Sequence, residues 1–134
     1  MERLIIDCDL LIKKIQKKSG PVHKIVQKCL AGIFQPFTSQ SILKECVDLL
    51  GQKDIEAECQ AVLEDFFAVS EIIKADFDLV EIKKDTGSNK YIQCALAGQV
   101  DYLITENKNL LKLQKYLRTE IVTPKDFLEL VKKK

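Results

Sequence analysis

Residues 89–111, NKYIQCALAGQVDYLITENKNLL, decide how the whole chain is read. Asn89 opens a short helix that runs through Ala97, and Gly98 is a natural C-terminal stop for it. Tyr102–Thr105 is a short, continuously apolar run, the pattern of a strand buried on both faces. Asn107 then opens a further short helix through Tyr116. Helix, strand and helix in this order form one unit of an alternating α/β chain.

The alternation extends in both directions. Toward the C terminus, Glu120–Val122 reads as a strand. Thr123-Pro124-Lys125-Asp126 follows as a helix start with cap, proline and acid in their expected places, and Lys132-Lys133-Lys134 suits that helix's C-terminal end. Toward the N terminus, Phe77–Ile82 reads as a strand, followed by the turn-like Asp85-Thr86-Gly87-Ser88. Asp54 to about Lys74 is a longer amphipathic helix with Ile55, Cys59, Val62, Leu63, Phe66 and Phe67 inward. Thr38 and Ser39 open a helix that Gly51 closes, and Ile33–Phe37 before it is a strand that Pro36 places at an edge or near its end. Pro21 starts a helix carrying Val22, Ile25, Val26, Cys29 and Leu30 at helical spacing. Arg3–Cys8 is the first strand, with Asp9 able to cap a helix over Leu10–Lys18. The expectation is a single α/β domain over residues 1–134, its central parallel sheet of four or five strands flanked by helices.

Composition agrees. Hydrophobic residues make up 46% and charged residues 31%, a globular balance that argues against disorder. No apolar run is long enough for a membrane span or a leader peptide, so neither is expected. With 21 basic against 20 acidic side chains, a strategy built on one large basic field is excluded, but a local basic patch is not. Five cysteines without a CxxC pair make zinc and disulfide frameworks poor readings, and a reducing cytoplasm is the expected setting. His23, the single histidine, sits on a mixed helical segment where a packing or surface role is expected.

In open parallel sheets, ligands bind beyond the carboxyl ends of the strands. Those ends here carry Asp7-Cys8-Asp9, Thr38-Ser39 with Glu45 two turns later, Asp85 with Ser88, and Thr105-Glu106-Asn107. No glycine-rich phosphate loop is present. The edge is acidic and hydroxylic, which favours a hard divalent cation held by oxygens. Each acid also has a plain structural explanation, as a helix cap or a solvated side chain. Asp7, directly after Leu4-Ile5-Ile6, is the one placed where chemistry is usually found.

The chain resembles the PIN-domain nucleases, in particular the branch of toxin components from toxin–antitoxin pairs. The resemblance is carried by LIIDCD (residues 4–9), SQSILKECVDLL (39–50), the stretch from Asp85 to Leu111, and IVTPKDFL (121–128). It implies a ribonuclease in which carboxylates gather Mg²⁺ or Mn²⁺. Asp7 and Glu45 take the catalytic and metal-binding positions, and Asp9 a third ligand position. Thr38 and Thr105 are implied as hydroxyls of the same cleft. Implied partners are RNA, a cognate antitoxin protein and a second copy of the chain, with no membrane.

The departures from that family are specific. Its third acid falls on Ser88 and its fourth on Asn107, both uncharged, with Asp85 and Glu106 nearby as stand-ins. Two lost carboxylates weaken the hold on a dication, so the resemblance implies a degenerate site with weak or lost cleavage. Two other readings stand beside it: a PIN fold kept as a protein- or RNA-interaction module, and an aspartyl-nucleophile phosphatase. The phosphatase reading rests on Asp7-x-Asp9 but lacks the Gly-Thr that usually follows.

Overall fold

The computed structural model describes residues 1–74 and 86–132; the strand read at Phe77–Ile82, Asp85 and the last two lysines lie outside them. Among the described residues the strands are β1 (Arg3–Ile6), β2 (Gln35–Ser39), β3 (Glu71–Ile73), β4 (Tyr102–Ile104), β5 (Lys115–Tyr116) and β6 (Thr119–Val122). The helices are α1 (Cys8–Ile15), α2 (Pro21–Leu30), α3 (Gln40–Gly51), α4 (Ala57–Val69), α5 (Asn89–Gly98), α6 (Lys108–Leu111) and α7 (Pro124–Lys132). The strands form one sheet in the order β3-β2-β1-β4-β6-β5, parallel except where β5 meets β6. The α/β class is as expected, but the sheet has six strands rather than four or five.

Among the described residues two strands, β3 and β5, are unexpected, and the sequence hides β5 inside a helical reading of 107–116. Helix α6 stops after one turn, and Gln114 and Leu117 both adopt left-handed backbone (φ 61° and 53°) to reverse the chain. Such a turn usually advertises itself with glycine or asparagine, and here it does not. A second difference lies at 54–74. The helix ends at Val69; Ser70 is extended, its hydroxyl donates to Phe66 O (2.8 Å), and Glu71-Ile72-Ile73 continue as a strand. Pro36 sits inside the sheet because the Gln35 N–H donates to Glu2 O on the β1 side (2.9 Å). The next nitrogen along therefore faces β3, which pairs only from Phe37 onward, and no ladder bond is lost.

Register assigns the two faces. Ile5 and Leu103 share one face with Phe37, while Leu4, Tyr102 and Pro36 share the other. Helix α5 covers the first face, where Gly98 approaches so closely that a Cβ would meet Phe37, Ile73 and Val100 at 3.3–3.4 Å. Helix α7 covers the second, where Phe127 packs edge-on against Phe34 and Tyr102, with ring centroids 5.2 and 5.0 Å apart. All five cysteines are free and buried, behaving as small apolar fillers.

Candidate active site

Strand β1 delivers Asp7 to the sheet's carboxyl edge, where its N–H still pairs with Ile104 O on β4 (2.9 Å). Asp7, rather than Asp9, is the N-cap of α1: its Oδ1 accepts from the Asp9 N–H (3.1 Å). The Thr105 hydroxyl, just past β4, donates to Asp7 Oδ2 (2.7 Å) and accepts from the Asn107 N–H (3.0 Å). Only 7% of Asp7 is exposed. Burial pushes its carboxyl above the usual range, and the bonds from Thr105 and Asp9 oppose that only in part. The carboxylates of Glu45 and Asp9 add to the upward push.

Helix α3 is capped by Ser39, whose hydroxyl accepts from the Ile42 N–H (3.3 Å). One turn further on, the helix presents Glu45 to the same edge. Its Oε1 accepts from the Tyr91 hydroxyl (2.7 Å) and its Oε2 is ion-paired with Lys90 Nζ. Tyr91 in turn accepts from the Cys8 N–H (3.0 Å), so α1, α5 and α3 are tied together through one phenol. Burial pushes the Tyr91 hydroxyl strongly up, so it remains a neutral donor.

A cleft of about 460 Å³ opens here, lined by Asp7, Asp9, Glu45, Ser88, Glu106 and Asn107, with Leu10, Lys13, Gly87 and Tyr91. Thr105 lies beneath it, touching Asp7. Thr38 is buried at the end of β2, away from the lining; among the described residues its hydroxyl has no partner. Ser88 and Asn107 meet directly, Asn107 Nδ2 donating to Ser88 Oγ (3.2 Å). Asn107 Oδ1 is committed to capping α6, accepting from the N–H groups of Asn109 (2.8 Å) and Leu110 (3.3 Å). The amide therefore turns its donor, not its acceptor, toward the cleft.

That arrangement does not fit a tightly held dication. Both Glu45 oxygens are engaged, one of them by a lysine ammonium, and the oxygen of Asn107 is spent on a helix cap. Among the described residues, no three His, Cys, Asp or Glu side chains are grouped to hold one metal ion. Lys90 and Tyr91 are the site residues that the sequence does not announce. A buried tyrosine needs a partner for its hydroxyl, and the short distance from Ser88 to Tyr91 along the chain was the available signal.

No helix among the described residues is long and apolar enough to cross a membrane. Comparison with curated proteins and with solved structures finds no match. A family model, described as PIN domain, matches residues 3–109. That span contains β1 through β4, both engaged acids and the two neutral positions of the cleft, and on it the chain belongs to the PIN-domain family.

Proposed function

We propose that this chain keeps the architecture of a Mg²⁺- or Mn²⁺-dependent ribonuclease of the toxin–antitoxin type while its own cleavage is weak or lost. The bond between Asn107 and Ser88 carries the reading. Where the family resemblance calls for two carboxylates, two neutral groups satisfy each other, and neither offsets a dication's charge. The Lys90 ammonium on Glu45 points the same way, because a fixed cation already neutralises one remaining acid. Among the described residues, Asp9 and Glu106 are the lining acids that such bonds do not occupy, while Asp7 is held by the Asp9 N–H and the Thr105 hydroxyl. A cognate antitoxin, the cytoplasm and a second copy of the chain belong to the same reading as partners and setting. Family membership leaves no support for the phosphatase reading.

The test compares the native chain with Ser88→Asp/Asn107→Asp by Mn²⁺ titration calorimetry and by cleavage of single-stranded RNA. Restored acids are expected to raise Mn²⁺ affinity at least tenfold and to bring out cleavage that Asp7→Asn abolishes. Native cleavage as fast as the variant's, and dependent on Asp7, overturns the degenerate site and points to Glu106 or Asp85 as replacements. If the variant gains neither metal nor cleavage, the fold serves as an interaction module.

A further inference from the structure

The acidic cleft does not end at its rim. Glu106, on the cleft wall, also lines a second groove of about 460 Å³ between the end of α1 and the starts of α2 and α7. Pro21 and Lys125 carry that groove into a third, of about 340 Å³, along α2 and α7. These two grooves hold Lys14, Lys17, Lys24, Lys28, Lys125 and Lys132 against only Glu106 and Glu129. The whole chain carries a net charge of only +1, so this is a marked local concentration.

None of these six lysines is held in an ion pair among the described residues, and all but Lys14 are exposed. The helices set their spacing. Lys24 and Lys28 are one turn apart on α2, and Lys125 and Lys132 two turns apart on α7, which packs beside α2. Between them Leu128 is half-buried, and Val22 and Pro124 are buried in the groove floor. The start of α2 has no side-chain cap and no acid in its first turn, so the positive end of that helix adds to the same field.

We propose that this lysine-lined track binds the phosphate backbone of single-stranded RNA and feeds the strand past Glu106 into the cleft. The track is concave and continuous with the cleft, as suits a threaded strand better than a flat anionic surface. Binding along it needs neither metal nor catalysis. The proposal rests on the function proposed above only in preferring RNA to another polyanion.

The experiment is fluorescence anisotropy of a labelled oligouridine 20-mer, in EDTA, at several salt concentrations. The proteins are native chain, the triple variant Lys17→Ala/Lys24→Ala/Lys125→Ala, and a charge-matched control, Lys53→Ala/Lys112→Ala/Lys115→Ala. Native chain and control are expected to bind alike. The track variant should lose more than tenfold in affinity at low salt. Its slope of log K on log salt should shrink by about 2, since each lost single-strand phosphate contact removes about 0.7. Equal losses in track and control variants, no binding by the native chain at low salt, or equally tight binding of polyglutamate would each overturn the proposal. A site without metal or cleavage leaves these readings unchanged, so failure of the proposed function and failure of the track are told apart.

Discussion

The Asp7 carboxyl serves two ends that pull against each other. As N-cap and acceptor of the Thr105 hydroxyl it fastens α1 to β4, yet its burial makes the ionised form costly. Its native pKa lies above the unfolded value of about 4. The folded chain thus binds the proton more tightly, and stability falls as pH rises from about 4 through the Asp7 titration, then stays lowered. Asn at this position keeps one of the two bonds, from the Asp9 N–H or the Thr105 hydroxyl, without the charge. Asp7→Asn is therefore expected to flatten this limb, as read by urea unfolding from about pH 4 to 8. Asp101 acts in the opposite sense. Burial would raise its carboxyl, but the Arg3 N–H (3.0 Å) and the Arg118 guanidinium (2.7 Å) outweigh this and hold it low. Its contribution is present above about pH 4 and is lost on acidification below that. That an acid stands at this strand end was legible in LIIDCD. Which acid caps the helix was not, because Asp7 and Asp9 both have the right chemistry and only the path of the chain out of β1 chooses between them.

Elements begin and end here on side-chain bonds that a sequence shows unevenly. Helix α6 is a single turn, four residues long, and exists through its cap, Asn107. Asn107→Ala should cost about 1 kcal/mol in urea unfolding, whereas Asn107→Asp, an equally good cap, should cost little. This difference also makes the aspartate variant a fair test of the cleft, since α6 need not unravel to accommodate it. The boundary at Ser70 was hidden for a different reason. Phe66, Phe67, Ile72 and Ile73 fit a helical stripe if the chain continues straight, and the β-branched pair Ile72-Ile73 was the signal against it. The turn at Leu117 carried no signal at all, since no glycine marks its left-handed residue.

For the molecule as a whole, the family match ends at residue 109, but the core does not. Phe127 on α7 is fully buried against Phe34 and Tyr102, so the C-terminal helix completes the face of the sheet that α5 leaves open. Phe127→Ala is expected to cost about 3–5 kcal/mol, measured by chemical denaturation, with no change in the cleft lining. The same helix supplies Lys125 and Lys132 to the basic track, so core and track share one element. The alternation of strands and helices, and with it the α/β class, was readable because each parallel strand must be wholly apolar and each crossover amphipathic. The track was not readable, because its lysines come from three helices and the bend after α1, whose adjacency is a product of the fold.

The sheet's central pairing has a consequence in time. Strand β1 lies between β2 and β4, and the Thr105–Asp7 bond joins residues 98 apart. A chain growing on the ribosome at roughly 5–20 residues per second shows its first acid to solvent for about 5–20 s before Thr105 has even been made. For most of that interval α5 and Tyr91 are also still to come, and until β4 is made the edge around Asp7 has no far wall. The site is therefore among the last parts of the molecule to be assembled, although its first acid is among the first residues made.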